Sequence, residues 1–225
     1  MELLDRLFVF LEIALINLLL SGDNAVVIAM AARKLPYRQR QAAIWWGAAA
    51  AVILRCVLTV GAVALLGIPF LQTAGALMLF GIAYKLILDK HDEDETRTRS
   101  AVSLAGAVWT IVAADFVMSL DNVLAVAAVA DGDVGMLVVG IVMSIPIIIW
   151  GSSFIMRMLD RLPGLSYAGG ALLAYTAGEM MLHDKGLRNM LPVLAEDVEK
   201  ALPYAAAALL LAAALWTRKH IRPRA

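Results

Sequence analysis

A chain of 225 residues that is 62% hydrophobic and only 17% charged, with a mean hydropathy of +0.80, lies outside the range of water-soluble domains of its size. Nineteen basic residues cancel nineteen acidic ones, so net charge selects neither nucleic acid nor an acidic partner, and only the placement of charge informs. The single cysteine, Cys56, rules out an intramolecular disulfide and a cysteine metal site, and reads as a small apolar packing residue.

About 20 largely apolar residues carry a helix across a bilayer. Seven stretches qualify, at approximately 7–32, 41–66, 69–88, 101–130, 134–157, 166–183 and 201–217. The expected fold is therefore all-α, a polytopic membrane protein forming one transmembrane domain over residues 1–225. The first stretch is expected to remain as an uncleaved helix: its leader, Met1 to Arg6, is net acidic, the run is too long for a signal sequence, and it carries Glu12 and Asp23. Only Gly67-Ile68-Pro69 divides the second stretch from the third, which suits a tight hairpin at the membrane surface. Pro36, Pro69, Pro163 and Pro203 fall at or near boundaries, where helix interruption costs least. The acidic run Asp89 to Glu95 reads as a solvated connector. In the sixth stretch Gly169, Gly170 and Gly178, with Ala171, Ala174 and Ala177, form a small face suited to close packing. Residues 184–200 are amphipathic enough to lie at the interface, and the tryptophans sit mostly toward helix ends, as an aromatic belt requires.

Connections rich in Lys and Arg face the cytoplasm. Arg33, Lys34, Arg38 and Arg40 follow the first span, Lys90, Arg97 and Arg99 the third, Arg157 and Arg161 the fifth, and Arg218, Lys219, Arg222 and Arg224 the seventh. The other side has Arg6, Lys185, Arg188 and Lys200. Thirteen against four puts the amino terminus outside and the carboxyl terminus in the cytoplasm.

A repeat appears at an offset of 98 residues, where Asn17, Ser21, Asp23 and Asn24 align with Asp115, Ser119, Asp121 and Asn122. Three spans separate the copies, so the copies cross in opposite directions. The expectation is a three-plus-three inverted repeat, residues 7–88 and 101–183, with the seventh helix appended and a site near midplane between the halves.

Carboxylates at such depth cost at least about 2.5–3.5 kcal/mol each, so they face a partner, an ion or water. On an ideal helix Asp115 and Asn122 share a face with Ser119 close by, whereas Asp121 points more than about 90° away. Convergence of all four polar groups of a copy requires the helix to unwind near the Ser-x-Asp-Asn box; Gly22 permits this in the first copy, while Leu120 in the second does not obviously do so. Carboxylate, amide and carbonyl oxygens without His or Cys suit Mg²⁺, Ca²⁺ or Mn²⁺. Glu12 and Glu179 are further ionisable groups at depth, able to ligate, line the path or take up protons. Arg55 is the expected counter-ion of one of them, and Ser21 and Ser119 are expected to bond helix carbonyls.

With Glu12, Asn17, the run Leu20-Ser21-Gly22-Asp23-Asn24-Ala25, Ala114-Asp115 and Ser119-Leu120-Asp121-Asn122-Val123, the chain resembles the TerC family of integral membrane proteins, in its small YjbE-type branch. The resemblance extends over the full length through the seven-span pattern. It implies Mn²⁺ efflux, within a grouping similar to the lysine-exporter superfamily, and metal contacts at Asp23, Asn24, Asp115, Asp121 and Asn122, with Glu12, Asn17 and Glu179 as additional candidates. Its soluble extensions found in other branches are missing here.

The leading expectation is a non-enzymatic exporter of a divalent cation, with Mn²⁺ as transported ion rather than catalytic cofactor. Its partners are the ion and the lipid bilayer, without nucleic acid, and a homodimer stays open. It is placed in the cell membrane as a multi-pass protein. An intramembrane aspartyl hydrolase using Asp23 and Asp121 is the alternative, disfavoured by the Asn after each Asp and by the lack of a G-x-G-D box. A membrane scaffold or insertion factor would need no paired buried acids. A retinal pigment needs a deep lysine in the last span, and 201–217 has none.

Overall fold

In lipid a spanning segment must satisfy its own backbone donors and acceptors, which long apolar runs do by forming helices. The computed structural model describes residues 22–65, 68–88, 103–129, 134–162, 164–190 and 196–220, and every regular element among them is helical. In chain order these are α1 (Gly22–Arg33), α2 (Tyr37–Leu65), α3 (Leu71–Leu88), α4 (Leu104–Val129), α5 (Val134–Val142), α6 (Ser144–Arg161), α7 (Leu165–His183), α8 (Lys185–Met190) and α9 (Glu196–His220). The start of the first expected span and the acidic connector 89–95 lie outside the described residues. Within α2, α3 and α9, the segments Tyr37–Thr59, Leu71–Leu88 and Val198–Thr217 are each long and apolar enough to cross a membrane.

Two expected spans differ in detail. The fifth is divided at Met143 into α5 and α6, and the cause is Pro146, which has no N–H to offer the Val142 carbonyl. Beside the break the Ser144 hydroxyl donates to the Ile141 carbonyl at 2.6 Å. The seventh begins at Glu196 instead of 201 and runs through Pro203, which therefore lies inside a helix and not at its boundary.

The short connections are tied by specific hydrogen bonds. Leu35 N–H reaches the Ala32 carbonyl at 3.0 Å, and the largely buried Arg40 donates Nε to the Leu35 carbonyl at 3.0 Å, satisfying a backbone acceptor in the connection between α1 and α2. Ser103 caps α4, its Oγ accepting the Gly106 N–H at 3.0 Å.

The helices fall into two compact units. In the first, α2 packs along α4, α1 packs against both, and α5 touches α2; most of α6 also belongs here. In the second, α7 packs against α3 and α9, α9 also meets α3, and α8 follows α7. Each unit thus draws helices from both halves of the sequence.

In the second unit the small face of α7 is used as expected. Gly169, Gly170, Ala174, Ala177 and Gly178 are buried. A Cβ on Gly178 would stand 2.6 Å from the Cα of Pro203, and one on Gly170 would collide with the Ile87 side chain. The Tyr84 and Thr217 hydroxyls bond at 2.7 Å, joining α3 to α9, and Tyr175 meets Tyr204 edge-on with centroids 5.2 Å apart.

Outward faces stay apolar. All five tryptophans are exposed, together with Ile53, Val57, Leu77 and Leu209, a surface that water would penalise and lipid accepts.

Candidate functional site

The seam between α2 and α4 has helical periodicity on both sides. Ile44, Ala48, Ala51, Val52, Arg55 and Thr59 are buried along α2, and Ala107, Ile111, Ala114, Asp115, Met118 and Ser119 along α4. Gly47 admits Ile111, whose Cδ1 would lie 2.6 Å from any Cβ at that position. The seam is apolar for its first turns and then becomes charged.

At that point Arg55, 3% exposed, meets Asp115, 5% exposed. The Arg55 Nη2 donates to Asp115 Oδ1 at 2.6 Å, and its Nε to Ser119 Oγ at 3.2 Å. The Ser119 hydroxyl in turn donates to Asp115 Oδ2 at 3.3 Å. Asp115 and Ser119 are one helical turn apart, so both face the same guanidinium. A planar fork suits such bidentate bonding, and Arg stays charged even when buried. Removing one member of a buried pair of this kind costs about 3–5 kcal/mol, because the other charge is left uncompensated.

Arg55 pairs with Asp115; of the two partners expected for it, Glu12 lies outside the described residues and Glu179 belongs to the other unit. Ser119 bonds side chains and not a helix carbonyl, because Arg55 presents a stronger, charged donor at the same place. The sequence did hold the signal: Asp115 and Ser119 are spaced i,i+4, and Arg55 is a basic residue deep inside a span.

Asn24 sits on α1, which packs against α2 and α4. It is 3% exposed, and among the described residues neither its amide oxygen nor its amide nitrogen has a hydrogen-bond partner. Such a group costs about 1–3 kcal/mol unless something occupies it. Its neighbour Asp23 is half-buried, accepts the Asn24 N–H on Oδ1 at 2.9 Å, and lies within electrostatic reach of both Arg55 and Asp115. Asp23, Asn24 and Asp115 are thus carried by mutually packed helices of one unit.

Asp121 and Asn122 lie in α4, with side chains outside the described set; Glu12 and Asn17 also lie outside the described residues. The backbone is informative nonetheless. α4 runs helical from Leu104 through Val129, so the unwinding that full convergence requires is absent from the second box, as the side chain of Leu120, buried and packed, would favour. In the first box the described residues, from Gly22 on, are helical. Among the described residues no three His, Cys, Asp or Glu side chains form a metal-holding cluster.

Glu179, half-buried, lines a cavity of about 480 Å³ in the second unit with Tyr175, His183, Glu199, Lys200 and Tyr204. Beyond it, Asp184 organises the end of that unit. Its Oδ1 accepts N–H bonds from Phe70 at 3.2 Å and Leu187 at 3.0 Å, and its Oδ2 one from Thr73 at 2.9 Å. Burial pushes its pKa upward, but these amide donors and that of Gly186 outweigh burial and hold it below the ordinary carboxylate value. Phe70, at φ 63°, adopts the left-handed conformation in this turn, and Gly186 leaves room for it: a Cβ there would lie 2.8 Å from the Phe70 nitrogen.

Residues 3–223 match the model of the integral membrane protein TerC family. The chain is 47% identical over 212 residues to the uncharacterized membrane protein YjbE of Bacillus subtilis strain 168, covering 94% of this chain and 96% of that one. It is 28% identical over 170 residues to the uncharacterized membrane protein YceF of the same organism, covering 72% and 66%, and 22% identical over 206 residues to its uncharacterized membrane protein YkoY, covering 84% and 64%. No solved structure matches the chain significantly. With apolar helices enclosing buried polar groups, and a family match along nearly its whole length, the chain belongs to the TerC family of integral membrane proteins.

Proposed function

We propose that the protein exports a divalent cation, Mn²⁺, through the membrane by alternating access. The observation that carries this reading is the polar cluster inside the α1, α2 and α4 packing: Asp115 buried, Asp23 nearby, and an Asn24 amide with no partner among the described residues. Hydrogen bonds between membrane helices are worth about 0.6 kcal/mol on average, too little to offset burying these groups for packing alone. An amide oxygen beside carboxylates is hard-ion chemistry. The choice of Mn²⁺ over Mg²⁺ or Ca²⁺ comes from the TerC resemblance.

In this reading Asp23, Asn24, Asp115, Asp121 and Asn122 hold the ion, and Glu12, Asn17 and Glu179 line its path or exchange protons. The seven spans form a three-plus-three inverted repeat with the amino terminus outside. The composition of the units supports the repeat: the first two spans of each half belong to one unit, while the third spans, α3 and α7, pack together in the other. That partition is what two equivalent halves would produce. Transport then follows from movement of elements around a fixed site.

Inverted vesicles containing the protein are expected to take up Mn²⁺, and Asp23→Ala and Asp121→Ala to abolish the uptake while still inserting in the membrane. Uptake by either variant equal to that of the wild type overturns the proposal.

A further inference from the structure

An exporter passes half its cycle without cargo, and a carboxylate as buried as Asp115 then needs another positive charge. Arg55 provides it. Its guanidinium takes Asp115 Oδ1 directly, and Ser119, itself bonded to the Arg55 Nε, takes Oδ2. Both carboxylate oxygens are engaged, so a cation that binds Asp115 must first displace these donors. Arginine keeps its proton in proteins, so this donor gives way as an intact charge.

Resting on the reading that Asp115 belongs to the cation path, the geometry points to Arg55 as a tethered competitor: it occupies Asp115 in the unloaded carrier and makes the site selective for divalent over monovalent cations. The selectivity follows from charge. Exchanging the guanidinium for K⁺ or Na⁺ leaves the local charge unchanged and still requires the ion to shed water, whereas a divalent ion adds one positive charge beside Asp23 and Asp115. The same competition keeps affinity low enough for release. If Arg55 holds Asp115 about nine-tenths of the time, the apparent affinity for cargo falls about ten-fold. A neutral Arg55–Asp115 pair also leaves the Asp115 charge compensated while the empty carrier reorients.

The test uses full-length protein in nanodiscs and proteoliposomes. Wild-type protein is expected to bind Mn²⁺ with little response to K⁺. Arg55→Gln is expected to bind Mn²⁺ about ten-fold more tightly, to lose that gain when K⁺ is added, and to slow net Mn²⁺ efflux while Mn²⁺–Mn²⁺ exchange persists. Arg55→Lys keeps the charge but not the fork; it is expected to retain indifference to K⁺ with a smaller gain in affinity, and it serves as the deciding variant if Arg55→Gln is not monodisperse. Wild-type protein that binds no Mn²⁺ overturns this inference together with the transport reading. Wild-type protein that binds and transports, while the folded Arg55 variants bind Mn²⁺ no more tightly, overturns this inference alone.

Discussion

Asn24 and Asp115 illustrate two ways of placing a polar group among apolar helices. Asp115 has its compensation built in, through Arg55 and Ser119, while the Asn24 amide has none among the described residues. An unpartnered buried amide is a standing cost that an apolar side chain of similar size would not incur. Asn24→Leu is therefore expected to unfold in detergent at the same temperature as the wild type or higher when no divalent ion is present, and to lose the upward shift that Mn²⁺ gives the wild type. Thermal melts with and without Mn²⁺ check this; a destabilised variant that keeps its Mn²⁺ shift contradicts it.

At the level of elements, two contacts of the second unit make opposite demands on substitution. Asp184 accepts amide protons at the start of α3 and of α8, so one carboxylate acts at two helix N-termini. Its pKa is lower folded than unfolded. Its stabilisation is therefore complete above the unfolded value of about 3.9 and is lost as pH falls through the folded one. Asp184→Asn is expected to weaken this acid-side loss in melting profiles taken below about pH 4, and Asp184→Ala to destabilise by about 1–3 kcal/mol at neutral pH. The second contact is Gly178 against Pro203. The obstacle is backbone, which cannot swing aside, so Gly178→Ala is expected to separate α7 from α9 and lower the melting temperature. At Gly81, where a Cβ meets nothing within 4 Å, the same change is expected to raise stability by up to about 1 kcal/mol.

For the molecule as a whole, the proposed orientation rests on basic residues concentrated on one side. A green fluorescent protein fused after Ala225 is expected to fluoresce, and alkaline phosphatase fused there to stay inactive, because only the former matures in the cytoplasm. The opposite pair of results reverses the topology. Because each unit draws helices from both halves of the sequence, the proposed repeat, read as sequence blocks, is not a packing unit. Packing joins α2 to α4 and α3 to α7 across the halves.

Membrane location, the helical class and most helix limits were legible because they depend on local quantities: the length of an apolar run and a proline without an N–H. Even the close face of α7 could be read from its glycines and alanines. The break at Met143 and the early start of α9 escaped, since whether a proline interrupts, bends or is absorbed depends on what packs beside it, as Gly178 does beside Pro203. The second Ser-x-Asp-Asn box lies on α4, yet the pairing of Arg55 with Asp115 was decided only in three dimensions. A buried charge pairs with whichever opposite charge the fold brings within about 3 Å, and 60 residues of chain separate Arg55 from Asp115. Spacing along one helix could align Asp115 with Ser119; only the packing of α2 on α4 could bring the guanidinium to both.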